Sequence, residues 1–182
     1  MLACAVPIVD SIGGACMGAG VEIASCCDGR VAGAAARFGA PIAKLGFPMA
    51  PREAQLVAAA VGETAARQML LEAATFSAEQ MLARGFLGRV VQSDALDAEA
   101  LATACRIAAL APGAARMNKQ TLRVLKVPPM LDGRALEAIK SRAAVAGQGP
   151  TPTPSVDPYA YADSAEHREG IGAFLAKRQP VF

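Results

Sequence analysis

The chain has 182 residues, of which 53% are hydrophobic and 19% charged, with a net charge of +2. That length is enough for one domain with a real core and a small appendage, and the balance is that of a soluble globular protein. The near-neutral charge, with no Lys/Arg cluster set among aromatics, excludes an ordinary nucleic-acid-binding surface, and no stretch reaches the roughly 18 apolar residues of a membrane helix.

Met1–Val9 is apolar but has neither a basic leader nor a small-residue cleavage site, so it is not read as a signal peptide. Residues 5–12 read as a buried strand, apolar along almost its whole length, as suits a strand covered on both faces. Glycines end it, and 17–27 reads as an apolar helix carrying one acid, Glu22. Short strands are expected at 30–33 and 37–39. Pro51 opens a helix to about Val61, and Gly62 breaks it. Residues 63–73 are amphipathic, with Ala66, Met69, Leu70 and Ala73 on one side. Ser77-Ala78-Glu79-Gln80 has the form of a capping box and starts a helix ending near Gly85. A strand at 87–91 follows, then a helix at 94–110 whose Leu96, Ala100, Leu101, Ala104 and Ile107 face inward. Further helices are expected at 113–126, 131–145 and 165–177, with a proline-rich extended connector at 147–158. Helices 94–110 and 113–126 are expected to bury against each other or against a neighbouring subunit. The order is β/α in the first half and nearly all α in the second. Partners for the first strand are scarce within this sequence, so upstream residues or another chain are expected to complete its sheet.

The run Gly13-Gly14-Ala15-Cys16-Met17-Gly18-Ala19-Gly20-Val21-Glu22 carries the chemistry. Strand, glycine turn and helix N-terminus aim free backbone N–H groups and the positive end of the helix dipole at one spot. A carboxylate one turn along could move a proton beside a developing oxyanion there. The same glycines could equally serve close packing of helix on strand. The spacing fits a dinucleotide fingerprint poorly, and no Gly-Lys-Ser/Thr follows, which excludes a P-loop. Five cysteines, Cys4, Cys16, Cys26, Cys27 and Cys105, show no Cys-x-x-Cys spacing and read as free thiols of a reducing cytoplasm. The single histidine, His167, lies at what reads as a solvated helix start, so no metal site or Ser/His/Asp triad is expected. Asp28 and Arg30 read as structural partners near the edge of the core.

Several segments in the right order resemble the crotonase superfamily, the enoyl-CoA hydratase/isomerase family. They are Pro7-Ile8-Val9 with the glycine run to Glu22-Ile23-Ala24, Cys27-Asp28-Gly29-Arg30-Val31-Ala32, Phe38-Gly39-Ala40-Pro41, Lys44-Leu45-Gly46, 77–91 and 168–178. The likeness is to the C-terminal two-thirds of such a protein and spans the chain except the connector.

The resemblance implies an α/β fold of the ClpP/crotonase type, a ββα spiral core lacking its N-terminal part. It places a partial core at 1–92 and a helical oligomerisation region at 93–182. It implies a coenzyme A thioester as substrate, no separate cofactor, and a homotrimer or hexamer, with a separate N-terminal chain as one way to complete the fold. In the family two backbone N–H groups hold the thioester oxygen; one matches Ala19, flanked by Gly18 and Gly20, and the other would precede this chain. The family's first catalytic glutamate matches Glu22, but its second falls at Ile42, just after Pro41, and isoleucine cannot transfer a proton. The usual downstream stretch reads Met49-Ala50-Pro51-Arg52-Glu53-Ala54-Gln55-Leu56, which would bring Arg52 or Glu53 toward the site. Phe174 and Lys177 on the last helix are candidates for coenzyme A contact, beside the plainer readings of packing and a solvated lysine. The expected activity is proton transfer next to a thioester, with a non-catalytic scaffold subunit as the other reading.

Overall fold

A computed structural model describes residues 1–126, 162 and 164–182. The helix expected at 131–145 and the connector at 147–158 lie outside them. The chain divides into two compact units, one of Met1–Pro41 with Leu56–Pro128, the other of Ile42–Gln55 with Pro129–Phe182.

The first unit is built on two small sheets. β1 (Val9–Ile12), β3 (Gly29–Gly33) and β6 (Arg89–Val91) form a parallel sheet in the order β1-β3-β6. β2 (Ala15–Met17), β4 (Arg37–Gly39) and β5 (Thr75–Ser77) form the other, β2 parallel and β5 antiparallel to β4. Strands β1 to β4 alternate between the sheets, with short corners from β1 into β2 and from β3 into β4, while β5 stays beside β4 and β6 returns to the first sheet. Helix α1 (Ala19–Ser25) follows β2, and α5 (Leu96–Ala108) lies over β1 and β3.

The core between these elements is apolar and tightly made. Phe38 and Phe86 are fully buried and meet edge to face at 5.9 Å between ring centres. Val21, Val31, Val57, Val61, Met69 and Met81 are buried with them. Full burial of each such side chain contributes roughly 1.5–3 kcal/mol. α3 (Glu63–Leu71) turns Ala65, Ala66 and Met69 inward, which is the helical spacing its sequence carries. α4 (Ala78–Ala83) starts on the expected capping box: the Ser77 hydroxyl accepts from the Gln80 amide and the Gln80 side chain accepts from the Ser77 amide.

Three sequence expectations change. The strand expected over 5–12 is regular only from Val9, because Lys119 and Arg123 of α6 (Pro112–Lys126) hold the carbonyls of Val6, Leu2 and Cys4. The helix expected from 17 begins at 19, since Ala15–Met17 pairs with β4. Leu101, expected inward, is 66% exposed, while Leu96 at the start of α5 is buried.

The second unit rests on a close approach of backbones. A 3-10 turn at Ile42–Leu45 packs on α7 (Ala165–Leu175). A Cβ on Gly170 would lie 2.4 Å from the Leu45 carbonyl carbon, and one on Gly46 would lie 2.2 Å from the Glu166 oxygen. Only glycine fits at either place. His167 is half-buried rather than solvated: its Nδ1 is 3.0 Å from the Leu45 oxygen and its ring stands edge-on to Phe47.

Candidate functional site

Gly18 sets the geometry. It precedes α1 with φ 52 and ψ −116, a conformation closed to residues with a Cβ. Its amide donates to the Gly39 carbonyl at 2.8 Å, and its own carbonyl accepts from the amides of Val21 and Glu22. The Ala19 and Gly20 amides, first in the helix, therefore stand at the N-terminus without a helical acceptor. Ala19 is exposed, and Glu22, one turn on, is half-buried on the same short helix. The helix dipole favours negative charge at this end.

The Gly18–Gly39 bond ties this turn to the Phe38-Gly39-Ala40-Pro41 motif. Gly39 is hemmed in, since a Cβ there would meet the Ala74 carbonyl at 3.0 Å and Met17 Sδ at 3.3 Å. Gly20 is different: a Cβ would sit at an ordinary 3.6 Å from Cys16 Sγ, so space does not demand glycine there.

The far end of α1 is fixed just as firmly. Arg30 donates to the carbonyls of Ala24, in the last turn of the helix, and Cys27, just past its end, and to that of Phe86, with its guanidinium 4.6 Å over the Phe86 ring. A cation at a helix C-terminus complements the dipole, so Arg30 steadies the helix whose other end carries the Ala19 and Gly20 amides. Asp10 occupies the paired position on β1, and burial raises its carboxyl above the usual range against the pull of Arg30. Burial, with the Asp10 charge adding to it, pushes the thiols of Cys16 and Cys27 up to about 11, so they stay protonated near neutral pH.

Lys119 has no counterpart in the sequence reading. Nearly buried, it lies 2.6 Å from Asp28 Oδ2 and donates to the Val6 carbonyl, while Asp28 also accepts from the Ile8 amide. Asp28 lies in the turn just beyond the Cys26 cap of α1, so this pair braces the same helix from α6. Lys119 and Arg123, four apart on one face, are the only trace of this in the sequence, and that spacing alone reads as a solvated edge.

Thus Glu22, Ala19, Gly18, Gly20 and Pro41 all belong to the first unit, the first four on one turn and helix. Ile42, Phe174 and Lys177 belong to the second unit. Ile42 is buried at the head of the 3-10 turn, whereas Phe174 is 68% exposed and Lys177 exposed with a left-handed φ of 52. Arg52 and Glu53 lie in the first turn of α2 (Pro51–Val61). Among the described residues no three His, Cys, Asp or Glu side chains gather to hold a metal ion. No described helix is long and apolar enough to cross a membrane.

The family description "Enoyl-CoA hydratase/isomerase" matches residues 1–139. A probable enoyl-CoA hydratase of Mycobacterium bovis is 30% identical, and a 2,3-dehydroadipyl-CoA hydratase of Escherichia coli 31%, each over 97% of this chain. The chain spans 62% of the length of either relative. The crystal structure of an enoyl-CoA hydratase/carnitine racemase from Magnetospirillum magneticum superposes with a TM-score of 0.66 at 36% identity, over 99% of this chain and 60% of that one. With a family match over most of its length and the corner-turning sheets of that fold, the chain belongs to the enoyl-CoA hydratase/isomerase family of the crotonase superfamily.

Proposed function

We propose that the chain acts on acyl-CoA thioesters, with the α1 N-terminus stabilising an enolate and Glu22 carrying the proton. The observation that supports this best is the turn itself. Gly18 takes a conformation that residues with a Cβ avoid, just before the first amides of α1, with a half-buried carboxylate one turn behind. An amide fixed before the reaction needs no rearrangement as charge grows on the thioester oxygen, and one such donor contributes about 3 kcal/mol in comparable sites. Only a main-chain N–H is required, so alanine at 19 serves where the family has glycine.

Addition of water in this family uses a second carboxylate, and isoleucine stands at that position here. A single base suffices for migration of a double bond: Glu22 would take a proton from the carbon next to the thioester and return it along the chain. Thioester hydrolysis and decarboxylation are also open to one carboxylate and an oxyanion donor. Lys177, on an exposed turn, would meet a coenzyme A phosphate. The ligand is substrate throughout, with no resident cofactor required.

The isoleucine also favours a second reading, a scaffold subunit that binds or assembles without turnover. One experiment separates the two. Exchange of the substrate's α-proton in heavy water, and movement of its double bond, are measured for the purified chain and for Glu22→Gln. Loss of on the order of 10²–10⁴-fold in the variant supports the proton-transfer reading. Equal background rates in both leave the scaffold.

A further inference from the structure

A closed circuit of contacts runs from one end of α1 to the other, and Arg30 is the member that closes it. The Arg30 carbonyl accepts the Gly88 amide at 3.0 Å, which fixes the residue through its main chain. Its Nη1 donates to the Ala24 oxygen at 3.1 Å and the Cys27 oxygen at 2.8 Å, while its Nε donates to the Phe86 carbonyl. The guanidinium carbon also lies 4.6 Å from the centre of the Phe86 ring. Phe86 meets Phe38 edge to face, and both are fully buried. Phe38 is followed on β4 by Gly39, whose carbonyl accepts the Gly18 amide at 2.8 Å. Gly18 is the residue from which α1 starts.

A helix this short takes its place from whatever grips its ends. α1 has seven residues, hence a length of about 10 Å, and two turns do not hold together in isolation. Its N-terminal end is held by one backbone bond, from Gly18 to Gly39, and its C-terminal end by the Arg30 fork. The aromatic pair between the two grips sits in a close-packed interior, which passes a displacement on rather than absorbing it. The fork itself is specific to arginine. Nη1 and Nε serve acceptors on different segments at once, and a lysine ammonium offers a single nitrogen in their place.

We propose that Arg30 is a positioning residue: by gripping the C-terminal end of α1 it sets where the Ala19 amide and the Glu22 carboxyl meet the substrate, a role that rests on the reading of α1 as the seat of proton transfer. Arg30 itself touches no reacting atom, since its contacts are with the opposite end of the helix. A misplacement of about 1 Å in an oriented group costs on the order of 100-fold in rate, so a small slip of α1 is enough to be read in turnover.

Arg30→Lys keeps the charge and removes the fork. It is compared with the unaltered chain and with Met69→Val, which trims a buried side chain on α3. Two quantities are measured on the whole chain: kcat and KM for exchange of the α-proton of butyryl-CoA in heavy water, and residue-resolved amide exchange without substrate. Arg30→Lys is expected to lower kcat about 10–100-fold with KM within about twofold. It is expected to speed exchange of the Gly18 amide, at the far end of the helix, about tenfold. The Arg37 amide, which donates to Gly14 at the other end of the β2–β4 pair, stays within about twofold. Met69→Val lowers Tm and leaves kcat and the Gly18 amide within about twofold. Phe86→Leu breaks the circuit at a second point while keeping the Phe86 carbonyl, and it gives the same split of kcat from KM and the same loosening of Gly18 should Arg30→Lys not fold. Full kcat in the circuit variants, a loss no greater than that of Met69→Val, or an unchanged Gly18 amide overturns the role of Arg30. An unaltered chain that exchanges no α-proton sinks the proton-transfer reading instead, and the Gly18 amide then decides by itself whether Arg30 holds α1 in place.

Discussion

At the scale of single residues, backbone conformation separates roles that composition cannot. Gly18 is held where a Cβ is strained, while Gly20 is not. Gly18→Ala is therefore expected to destabilise the fold by about 1–3 kcal/mol, read by urea unfolding, and Gly20→Ala by much less. Equal costs would show that space, not dihedral angle, selects glycine in this run. Lys177 offers the reverse test. It occupies the left-handed position that ends α7, with the Arg178 amide bonding back to the Ala173 carbonyl, where glycine is the usual residue. Lys177→Gly is expected to gain about 1 kcal/mol of stability. If the lysine also meets a coenzyme A phosphate, the same variant loses part of the rise in Tm that coenzyme A gives, although its own Tm is higher. A residue that only ends a helix would raise Tm and leave the ligand shift whole.

At the scale of elements, the helices with strong local signals were legible and the shortest strands were not. The capping box at Ser77–Gln80, the proline opening α2 and the glycine after it each mark a boundary through local chemistry, and the structure keeps all three. β2 and β5 have three residues each, too few to show a period of two, and they exist because β4 lies between them. The turn before α1 was legible because the glycine run announces it; the bracing of α1 by Arg30 and by Asp28–Lys119 was not, since those contacts join distant parts of the chain. α7 adds a tail that the sequence did not suggest. The Glu169 carboxylate accepts from Arg178 and from the Val181 amide, which together hold its pKa down to about 2. A depressed carboxylate supports the folded tail above its unfolded value near 4.5 and loses that support as pH falls toward 2. Acidification through that window is expected to speed exchange of the Val181 amide before the core opens, and Glu169→Gln to abolish the pH dependence. An unchanged profile in the variant would assign the effect to other groups.

At the scale of the whole molecule, α6 is turned inside out. Lys119 is buried and Arg123 half-buried on the face that holds the N-terminal segment, whereas Met117 and Val124, seven residues apart on the opposite face, are 67% and 77% exposed. Leu101 of α5 and Leu110, just after it, are also largely exposed. The sequence reading expected these helices to bury against each other or against a neighbouring subunit; on α6 the cations face inward because the carbonyls of Leu2, Cys4 and Val6 need donors. An apolar face presented outward on a helix with cations beneath it is a surface that water does not favour, and contiguous patches of this kind mark association. The chain is expected to assemble, as a trimer or hexamer, through Met117 and Val124. Sedimentation velocity should show a species larger than the monomer for the unaltered chain. Met117→Glu with Val124→Glu should return it to monomer with Tm little changed, because neither side chain contributes to the core. A monomer before substitution, or an assembly that survives both glutamates, would mean that α6 faces water as it stands and that assembly, if any, uses another surface.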